Sequence, residues 1–350
     1  MRWTGVEILE REDAESGASI FIAIHSERLG PASGGTRMKA YPDLDEARRD
    51  AMRLSEGMTY KWAAAGFPRG GGKAVLAVPP DFDAADRPGL LRRYGAFIKE
   101  LGGRFWTGAD VGTSAQDMDL IAEEGAPYVF SRTPAKGGAG GSGTWTAIGV
   151  AASIEAACVR LFGSRSLEGR RVAIQGAGSV GIPLNDLLAT GGARVAFSDV
   201  SPEAGRGLDP AIERIAPEQV FDRPCDVFAP CALGEVLNAE TIPRLACRAV
   251  VGAANNQLAS GEDADRLAAR GILYAPDFIA NAGGAIAITG IEALGWSRER
   301  AQHEVRAIGD TVARVFDIAE NESITPDAAA RRLAEERLYS AGRRERERRE

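Results

Sequence analysis

Residues 171–181 read RVAIQGAGSVG, an apolar strand-like segment followed at once by Gly176, Gly178 and Gly181 in the spacing GxGxxG. A helix-like run comes next, and a second strand-like segment, RVAFSD, ends at Asp199. In such a unit the first glycine makes the tight turn, the second lets the backbone approach a pyrophosphate, and the third lets helix and strand pack closely. The stretch therefore predicts a Rossmann-type dinucleotide-binding domain.

The acidic residue after the second strand bears on which dinucleotide binds. Asp199 lies 23 positions beyond Gly176. A carboxylate at that place accepts a hydrogen bond from a ribose 2′-OH and repels a 2′-phosphate, so NAD is predicted over NADP. Arg194 and Arg206 are near in sequence and leave NADP open. The alternative is a glycine-rich turn that binds no ligand.

The chain has 350 residues, which is enough for two domains that each bury a core. Strand-like and helix-like segments alternate in both halves, which indicates parallel sheets with helical crossovers. We predict an α/β protein of two α/β domains separated by a substrate cleft, the second being the Rossmann domain. The first covers 1–134 together with a C-terminal helix, 325–350, and the second covers 135–324. The glycine-rich segment 131–143 is predicted to be the hinge, with a plain surface loop as the alternative.

Bulk composition narrows the partners. The formal net charge is −7, which gives no electrostatic reason to expect nucleic acid. No apolar run looks long enough for a membrane span and the N-terminus does not resemble a signal peptide, so a cytoplasmic protein without membrane contact is expected. Four scattered cysteines and two histidines predict neither a disulfide framework nor a metal site.

A second stretch carries the chemistry. Residues 57–76 read GMTYKWAAAGFPRGGGKAVL, in which Lys61 and Lys73 flank a segment with few polar side chains. A nicotinamide cofactor implies hydride transfer. One lysine near a desolvated site can stay charged and hold a carboxylate, while another, with its pKa lowered by burial, acts as acid and base. Asp110 is placed to exchange a proton with an amine or with that lysine. Taken singly, each of the three is more often an ordinary exposed residue.

Six segments, in one order along the chain, resemble the amino acid dehydrogenases of the glutamate, leucine, phenylalanine and valine group. The resemblance extends from about residue 20 to residue 338 and is strongest to the leucine and phenylalanine branch. The segments are GPASGGTRM (30–38), GMTYKWAAAGFPRGGGKAV (57–75), TGADVGTSAQDMDLI (107–121), DVFAPCALGEVLN (226–238), GAANNQL (252–258) and YAPDFIANAGGAI (274–286).

The resemblance implies a reaction and roles for residues. The reaction is reversible oxidative deamination of an L-amino acid to its 2-oxo acid and ammonia, with NAD⁺ taking the α-hydride. Lys61 would bind the substrate carboxylate, Lys73 would be the catalytic acid and base that activates water, and Asp110 would handle the amine proton. Gly34 and Gly35 would shape the carboxylate end, and Met58 would also contact substrate. Relatives assemble from several subunits, so a homo-oligomer is expected.

The fingerprint and the resemblance together predict the residues that hold the cofactor. They are Thr146, Gly176, Gly178, Ser179, Val180, Gly181, Asp199, Ala229, Pro230, Cys231, Ala232, Asn255 and Asn281.

Four positions are expected to line the side-chain pocket: Ser33, Gly108, Ala285 and Ile288. Glycine and alanine there leave volume for an aromatic ring, so L-phenylalanine is favoured, with leucine or valine as the alternative. Ser33 is expected to bond to backbone rather than to a substrate phenol. No basic residue occupies these four positions, which disfavours glutamate.

Two further readings remain open. One is a non-catalytic NAD-binding protein, against which the full set Lys61, Lys73 and Asp110 argues. The other is a dehydrogenase of the shikimate or malate type that acts on an alcohol.

Overall fold

The protein is described by a computed structural model that covers residues 3–206, 208–209 and 212–347, with side chains through 342. The chain divides into two compact units. The first consists of Met1–Gly140, Ile288–Ser297 and Ala334–Glu350, and the second of Gly141–Ala287 and Arg298–Leu333. The predicted α/β class with a Rossmann second domain is confirmed.

The first unit is built on a five-stranded mixed sheet in the order β1-β2-β4-β3-β5. Strands β3, β4 and β5 are parallel to one another. Strand β2 pairs antiparallel with β4, and β1 pairs antiparallel with β2. The strands are β1 (Glu7–Asp13), β2 (Ala18–Ser26), β3 (Ala32–Lys39), β4 (Gly70–Ala77) and β5 (Phe105–Ala109), and the helices are α1 (Leu44–Ala65), α2 (Arg87–Glu100) and α3 (Ala115–Gly125).

Helix α1 begins and ends at the residues that its sequence signals. The Asp43 carboxylate accepts from the backbone N–H of Glu46 at the N-terminus. Gly66 adopts a left-handed conformation, with φ of 68°, and closes the C-terminus. The apolar side of α1 packs on one face of the sheet through Ala47 and Ala51.

The other face of this sheet packs against α2 and α3, where it buries residues such as Leu76, Phe105 and Met118. Because side chains alternate along a strand, the neighbours Lys73 and Val75 on β4 point to the α1 face instead. Val75 is indeed in the cluster formed with α1. The α1 face is therefore where the polar residues at the strand ends gather.

The second unit holds a six-stranded parallel sheet in the order β8-β7-β6-β9-β10-β11. In chain order this is the 3-2-1-4-5-6 arrangement of the Rossmann fold. The strands are β6 (Arg171–Gln175), β7 (Arg194–Ser198), β8 (Glu213–Arg214), β9 (Val227–Pro230), β10 (Ala249–Val250) and β11 (Leu273–Tyr274). The helices that follow α3 in the chain are α4 (Ser142–Phe162), α5 (Gly181–Thr190), α6 (Glu262–Ala269), α7 (Asp277–Ala280), α8 (Gly283–Leu294), α9 (Arg298–Arg306), α10 (Ile308–Glu322) and α11 (Pro326–Glu347).

The division of the chain differs in detail from the predicted domains. The first cut falls at Gly140, six residues past the predicted boundary and inside the glycine-rich segment. Much of that segment is anchored in the first unit, because the Glu292 carboxylate accepts from the backbone N–H groups of Arg132 and Ala139. Residues Ile288–Ser297 also belong to the first unit, although the predicted domains placed them in the second.

Helix α4 alone, among the helices in the described part of the chain, is long and apolar enough to cross a membrane. A helix of this length and apolarity was not expected from the sequence. Most of α4 is buried, and it packs against α5 and α10 as a core helix of the second unit.

Candidate active site

In the first unit, three neighbouring strands bring Lys73, Asp110 and Arg37 together. Lys73 lies on β4, Arg37 on β3 and Asp110 directly after β5. The Lys73 Nζ donates to Asp110 Oδ2 at 2.8 Å, and the Arg37 Nε donates to the same oxygen at 3.1 Å. Gly35 lies between them, and a Cβ at Gly35 would lie 3.3 Å from Lys73 Nζ and 2.8 Å from the Asp110 Cβ. Glycine therefore leaves the space in which the ion pair forms.

A network behind Arg37 holds it in place. The Arg37 Nη1 donates to Asp50 Oδ2 at 2.9 Å, and the Tyr41 hydroxyl donates to the same oxygen at 2.8 Å. The Asp110 backbone N–H donates to the Thr113 hydroxyl at 2.9 Å, which fixes the turn that carries the carboxylate. Asp110 is thus oriented from two sides before any ligand is considered.

Burial and charge act on both members of the pair. Lys73 is 6% exposed. Burial lowers the pKa of the Lys73 ammonium below its usual value, although the neighbouring Asp110 charge opposes this. Burial would raise the pKa of Asp110, but the charges of Lys73 and Arg37 outweigh it, so that pKa is lowered. The carboxylate therefore stays ionised while the lysine can lose its proton more easily than a surface lysine, as acid and base chemistry requires.

The turn of α1 that carries Lys61 lies against β3. The Trp62 indole N–H donates to the Ser33 carbonyl at 2.9 Å. A Cβ at Gly34 would lie 3.3 Å from the Met58 Cγ and only 1.8 Å from the Gly72 carbonyl oxygen. Lys61, which is half-buried, sits on the same turn between Met58 and Trp62. Gly34 therefore has a close-packing reason to be glycine, and the turn of α1 that contains Lys61 packs beside Ser33 and Gly34.

Gly108, one of the four residues predicted to line the side-chain pocket, does not border free space. A Cβ at Gly108 would lie 2.4 Å from the Phe130 ring and 2.7 Å from the Ser131 hydroxyl oxygen. Phe130 is buried in a cluster with Ile288, against which Trp106 packs. The volume that glycine leaves at Gly108 is thus filled by Phe130, and the predicted space for a substrate ring is wrong at this position.

Ser33 and Ala285 also differ from the expectation. Ser33 is fully buried, and its hydroxyl has no hydrogen-bond partner among the described residues, so the expected bond to backbone is wrong. Ala285 belongs to the second unit, whereas the other three predicted pocket residues belong to the first.

In the second unit, the glycine fingerprint takes the shape that a pyrophosphate needs. Gly176 has φ of 102°, a conformation that favours glycine, and directly follows β6. A Cβ at Gly181 would lie 1.8 Å from the Gly176 carbonyl oxygen, so α5 can pack here only without a side chain. Gly178 is exposed and has open space around it. The turn, the close packing and the open backbone fit a dinucleotide at the N-terminus of α5.

Asp199 lies just past the end of β7, beside this turn. Its carboxylate accepts from the backbone N–H groups of Ala177 and Ser201, each at 2.9 Å. Arg194 is at the opposite end of β7, and Arg206 pairs with Glu203. Arg194 therefore lies away from Asp199, and the Arg206 guanidinium is paired with a carboxylate.

The other predicted cofactor residues border the same edge of the sheet. A Cβ at Gly176 would lie 2.8 Å from that of Ala232, which follows β9 and the Ala229–Cys231 stretch. The Asn281 amide donates to the Asn255 side-chain oxygen at 2.8 Å. Near the start of α4, a Cβ at Gly143 would lie 2.1 Å from the Ser179 carbonyl oxygen, which places the turn of Thr146 beside the fingerprint loop of Ser179 and Val180. The carboxyl ends of β6 and β9 therefore meet these side chains, where α/β sheets bind ligands.

Two residues of the first-unit site were missed. Arg37 follows Gly35 by two positions on a strand, and the alternation of side chains could have placed both on one face. Phe130 carries no local signal, because its contact with Gly108 joins segments that are distant in sequence. No group of three or more potential metal ligands occurs within the described ranges.

Comparison with known proteins gives consistent results. The sequence matches the family described as "Glu/Leu/Phe/Val dehydrogenase, dimerisation domain" over residues 7–126 and "Glutamate/Leucine/Phenylalanine/Valine dehydrogenase" over residues 204–346. It is 45% identical to the leucine dehydrogenase of Thermoactinomyces intermedius, over 93% of this chain and 89% of the relative. It is 43% identical to the valine dehydrogenase of Streptomyces albus, over 94% and 91%. The solved L-tryptophan dehydrogenase of Nostoc punctiforme is similar with a TM-score of 0.86, at 38% identity and 97% of both chains.

Proposed function

Because the chain belongs to the glutamate, leucine, phenylalanine and valine dehydrogenase family and is an amino acid dehydrogenase that uses NAD(H), we propose that it deaminates branched-chain L-amino acids oxidatively and reversibly. Leucine and valine are the proposed substrates, and the products are the 2-oxo acid and ammonia. The observation that carries the proposal is the buried ion pair of Lys73 and Asp110, with its lowered lysine pKa.

The chemistry assigns a step to each residue. When bound, NAD⁺ supplies the acceptor for the substrate α-hydride. Lys61 holds the α-carboxylate, and Asp110 takes a proton from the substrate ammonium so that the neutral amine can lose hydride. The iminium carbon that results is attacked by water, and neutral Lys73 removes the water proton. Lys73 then returns its proton to the amino nitrogen of the carbinolamine. Neutral again, it takes the hydroxyl proton as the C–N bond breaks, so that ammonia leaves and the carbonyl forms.

The substrate proposal differs from the phenylalanine expectation. That expectation depended on free volume at Gly108, and the Phe130 ring occupies it. The apolar contacts of Phe130 and Ile288 suit an aliphatic side chain of limited size. The similarity to leucine and valine dehydrogenases supports the same substrate class.

The cofactor contacts and the assembly state are part of the proposal. Gly176, Gly178 and Gly181 shape the turn for the pyrophosphate, and Asp199 accepts from a ribose hydroxyl. Thr146, Asn255 and Asn281 contact the nicotinamide half. A homo-oligomer is proposed on the match of residues 7–126 to a dimerisation domain, and light scattering after size exclusion tests it.

The test of function is turnover. NADH formation is followed at alkaline pH with leucine, valine, phenylalanine, tryptophan and glutamate. We expect kcat/KM for leucine or valine to exceed that for phenylalanine by about 10-fold or more, since a filled pocket excludes a ring. The reverse reaction must require ammonia, which separates the enzyme from an alcohol dehydrogenase. NAD binding without turnover of any L-amino acid would leave only a non-catalytic binder.

A further inference from the structure

One arginine of the C-terminal helix contacts the end of α1. The Arg337 Nη1 of α11 donates to the Ala63 carbonyl at 2.9 Å and also to the Ala64 carbonyl. Both carbonyls are in the last turn of α1, where the partners of a helix interior are missing. No basic residue of α1 itself lies in that turn. Arg337 therefore supplies from α11 the positive charge that stabilises the carbonyl end of a helix.

The guanidinium of Arg337 lies where Gly66 leaves room for it. Gly66 ends α1 with φ of 68°, and a Cβ there would lie 3.3 Å from Arg337 Nη1. The Gly66 N–H donates to the Ala63 carbonyl at 3.0 Å, and the Phe67 N–H donates to the Trp62 carbonyl at 2.9 Å. The end of α1 is thus closed both by its own backbone and by a side chain that lies 274 positions beyond Ala63.

Lys61 lies within this contact between α1 and α11. The hydroxyl of Tyr60, one residue before Lys61, donates to the Glu335 carboxylate at 3.4 Å. Ala63, two residues after Lys61, accepts from Arg337. These residues of α1 and of α11 all belong to the first unit. Two side chains of α11 therefore contact residues on both sides of Lys61.

The side of the same turn that faces the sheet is anchored separately. The buried Trp62 donates its indole N–H to the Ser33 carbonyl at 2.9 Å. This bond holds the turn against β3, whereas Arg337 holds its carbonyl end. Helix ends fray more easily than helix interiors, because fewer hydrogen bonds restrain them. Loss of Arg337 should therefore loosen the turn of Lys61 while Trp62 keeps α1 packed on the sheet.

We infer that Arg337 is a positioning residue for substrate binding: it closes the carbonyl end of α1 and so holds Lys61 in place for the substrate α-carboxylate. The inference rests on the proposed function, in which Lys61 has that role. A site that is ordered for only part of the time binds its ligand with an apparent affinity lowered by that fraction. The effect concerns binding more than chemistry, since Lys73 lies on β4 and Asp110 directly after β5.

The test separates KM from kcat. Leucine kinetics are measured for the wild type, Arg337→Met, Arg337→Lys and the control Arg332→Met, which removes an exposed arginine of α11 that pairs with Glu322 of α10. We expect Arg337→Met to raise the KM for leucine by about 3- to 10-fold, as one charge at a helix end allows, and to leave kcat within about 2-fold of wild type. Arg337→Lys keeps the charge and should give an intermediate KM. The control should match the wild type.

A double-variant cycle asks whether Arg337 acts through Lys61. The dissociation constant of the 2-oxo acid of leucine from the NADH complex is measured by calorimetry without ammonia, so no turnover is needed. Arg337→Met should raise this constant by the same factor as KM and leave that of NADH unchanged. In a Lys61→Met background the further rise should be at most about 1.5-fold, because the contact that Arg337 supports is already lost. A full further rise would overturn the inference.

Other outcomes also decide. An unchanged KM in a folded Arg337→Met protein, or a lower kcat at constant KM, overturns the inference alone. If Arg337→Met does not fold, Arg337→Gln replaces it with the same expectations. If neither variant folds, Arg337 serves the whole fold and the specific role is refuted. An unchanged KM in Lys61→Met refutes the carboxylate contact of the proposed function and the inference with it.

Discussion

Replacement of Asp110 by asparagine removes the negative charge nearest to Lys73 and keeps the size of the side chain. The Lys73 Nζ and the Asp110 Oδ2 are 2.8 Å apart, so at an effective dielectric constant of about 20 the lost attraction is at most about 6 kcal/mol. Measured effects of one opposite charge at such range are smaller, about one to three pKa units. Arg37 remains close and also disfavours a charged lysine.

The direction of the shift follows from these signs. Burial already lowers the pKa of Lys73, and the Asp110 charge works against that effect. Loss of the charge should lower the lysine pKa further. Since deamination requires neutral Lys73 as base, the acidic limb of the kcat/KM profile should move to lower pH by about one to three units. The maximal rate should fall by about 10²- to 10⁴-fold, because Asp110 no longer takes the amine proton.

The assay is NADH formation with leucine between pH 6 and pH 11, with the exposed Asp45→Asn variant as the control. Circular dichroism establishes that both variants are folded. If the acidic limb of the kcat/KM profile stays in place in Asp110→Asn, or moves to higher pH, the assignment of Lys73 as the base is refuted. A normal maximal rate would refute the role of Asp110.

Other expected outcomes concern separate parts of the molecule. Lys73→Met should lower kcat by about 10³-fold or more while the NADH dissociation constant, read by fluorescence, stays near wild type; normal turnover would remove the mechanism. Asp199→Asn should weaken NAD⁺ binding by about 10-fold and narrow its preference over NADP⁺, as calorimetry would detect, and an unchanged preference would contradict the ribose contact. Phe130→Ala should vacate the space beside Gly108 and raise the kcat/KM ratio of phenylalanine to leucine by about 10-fold; a constant ratio would place the pocket elsewhere. Asp117→Asn should lower the free energy of unfolding by about 1–3 kcal/mol at pH 7. Because hydrogen bonds from Arg87 and Ser114 overcome burial and lower the Asp117 pKa, that difference should shrink as pH falls below about 4 in urea titrations.

Local patterns were sufficient for much of the fold. Helix α1 begins after Asp43 and ends before Gly66, because both residues act through bonds within a few residues of the helix ends. The GxGxxG segment forms its turn because the positive φ of Gly176 and the close contact at Gly181 are properties of that short unit.

The candidate site was only partly predictable. Lys61, Lys73 and Asp110 came from motifs, and the structure brings Lys73 to Asp110. Arg37 was quoted within a motif without a role, since its two acidic partners lie 13 and 73 positions away. The phenylalanine expectation is less well supported than its leucine or valine alternative, because small residues were taken as free volume whereas the Phe130 ring lies against Gly108.

By itself the sequence determined those features that depend on neighbours along the chain: the Rossmann strand–turn–helix, the boundaries of α1 and the types of side chain available for catalysis. The tertiary structure decided which of these side chains share a face, that burial lowers the Lys73 pKa, and that Phe130 fills the space beside Gly108. The physical reason is that charge interactions and packing depend on distance in space, and the sheet brings together residues from β3, β4 and β5 whose separation along the chain carries no information about that distance.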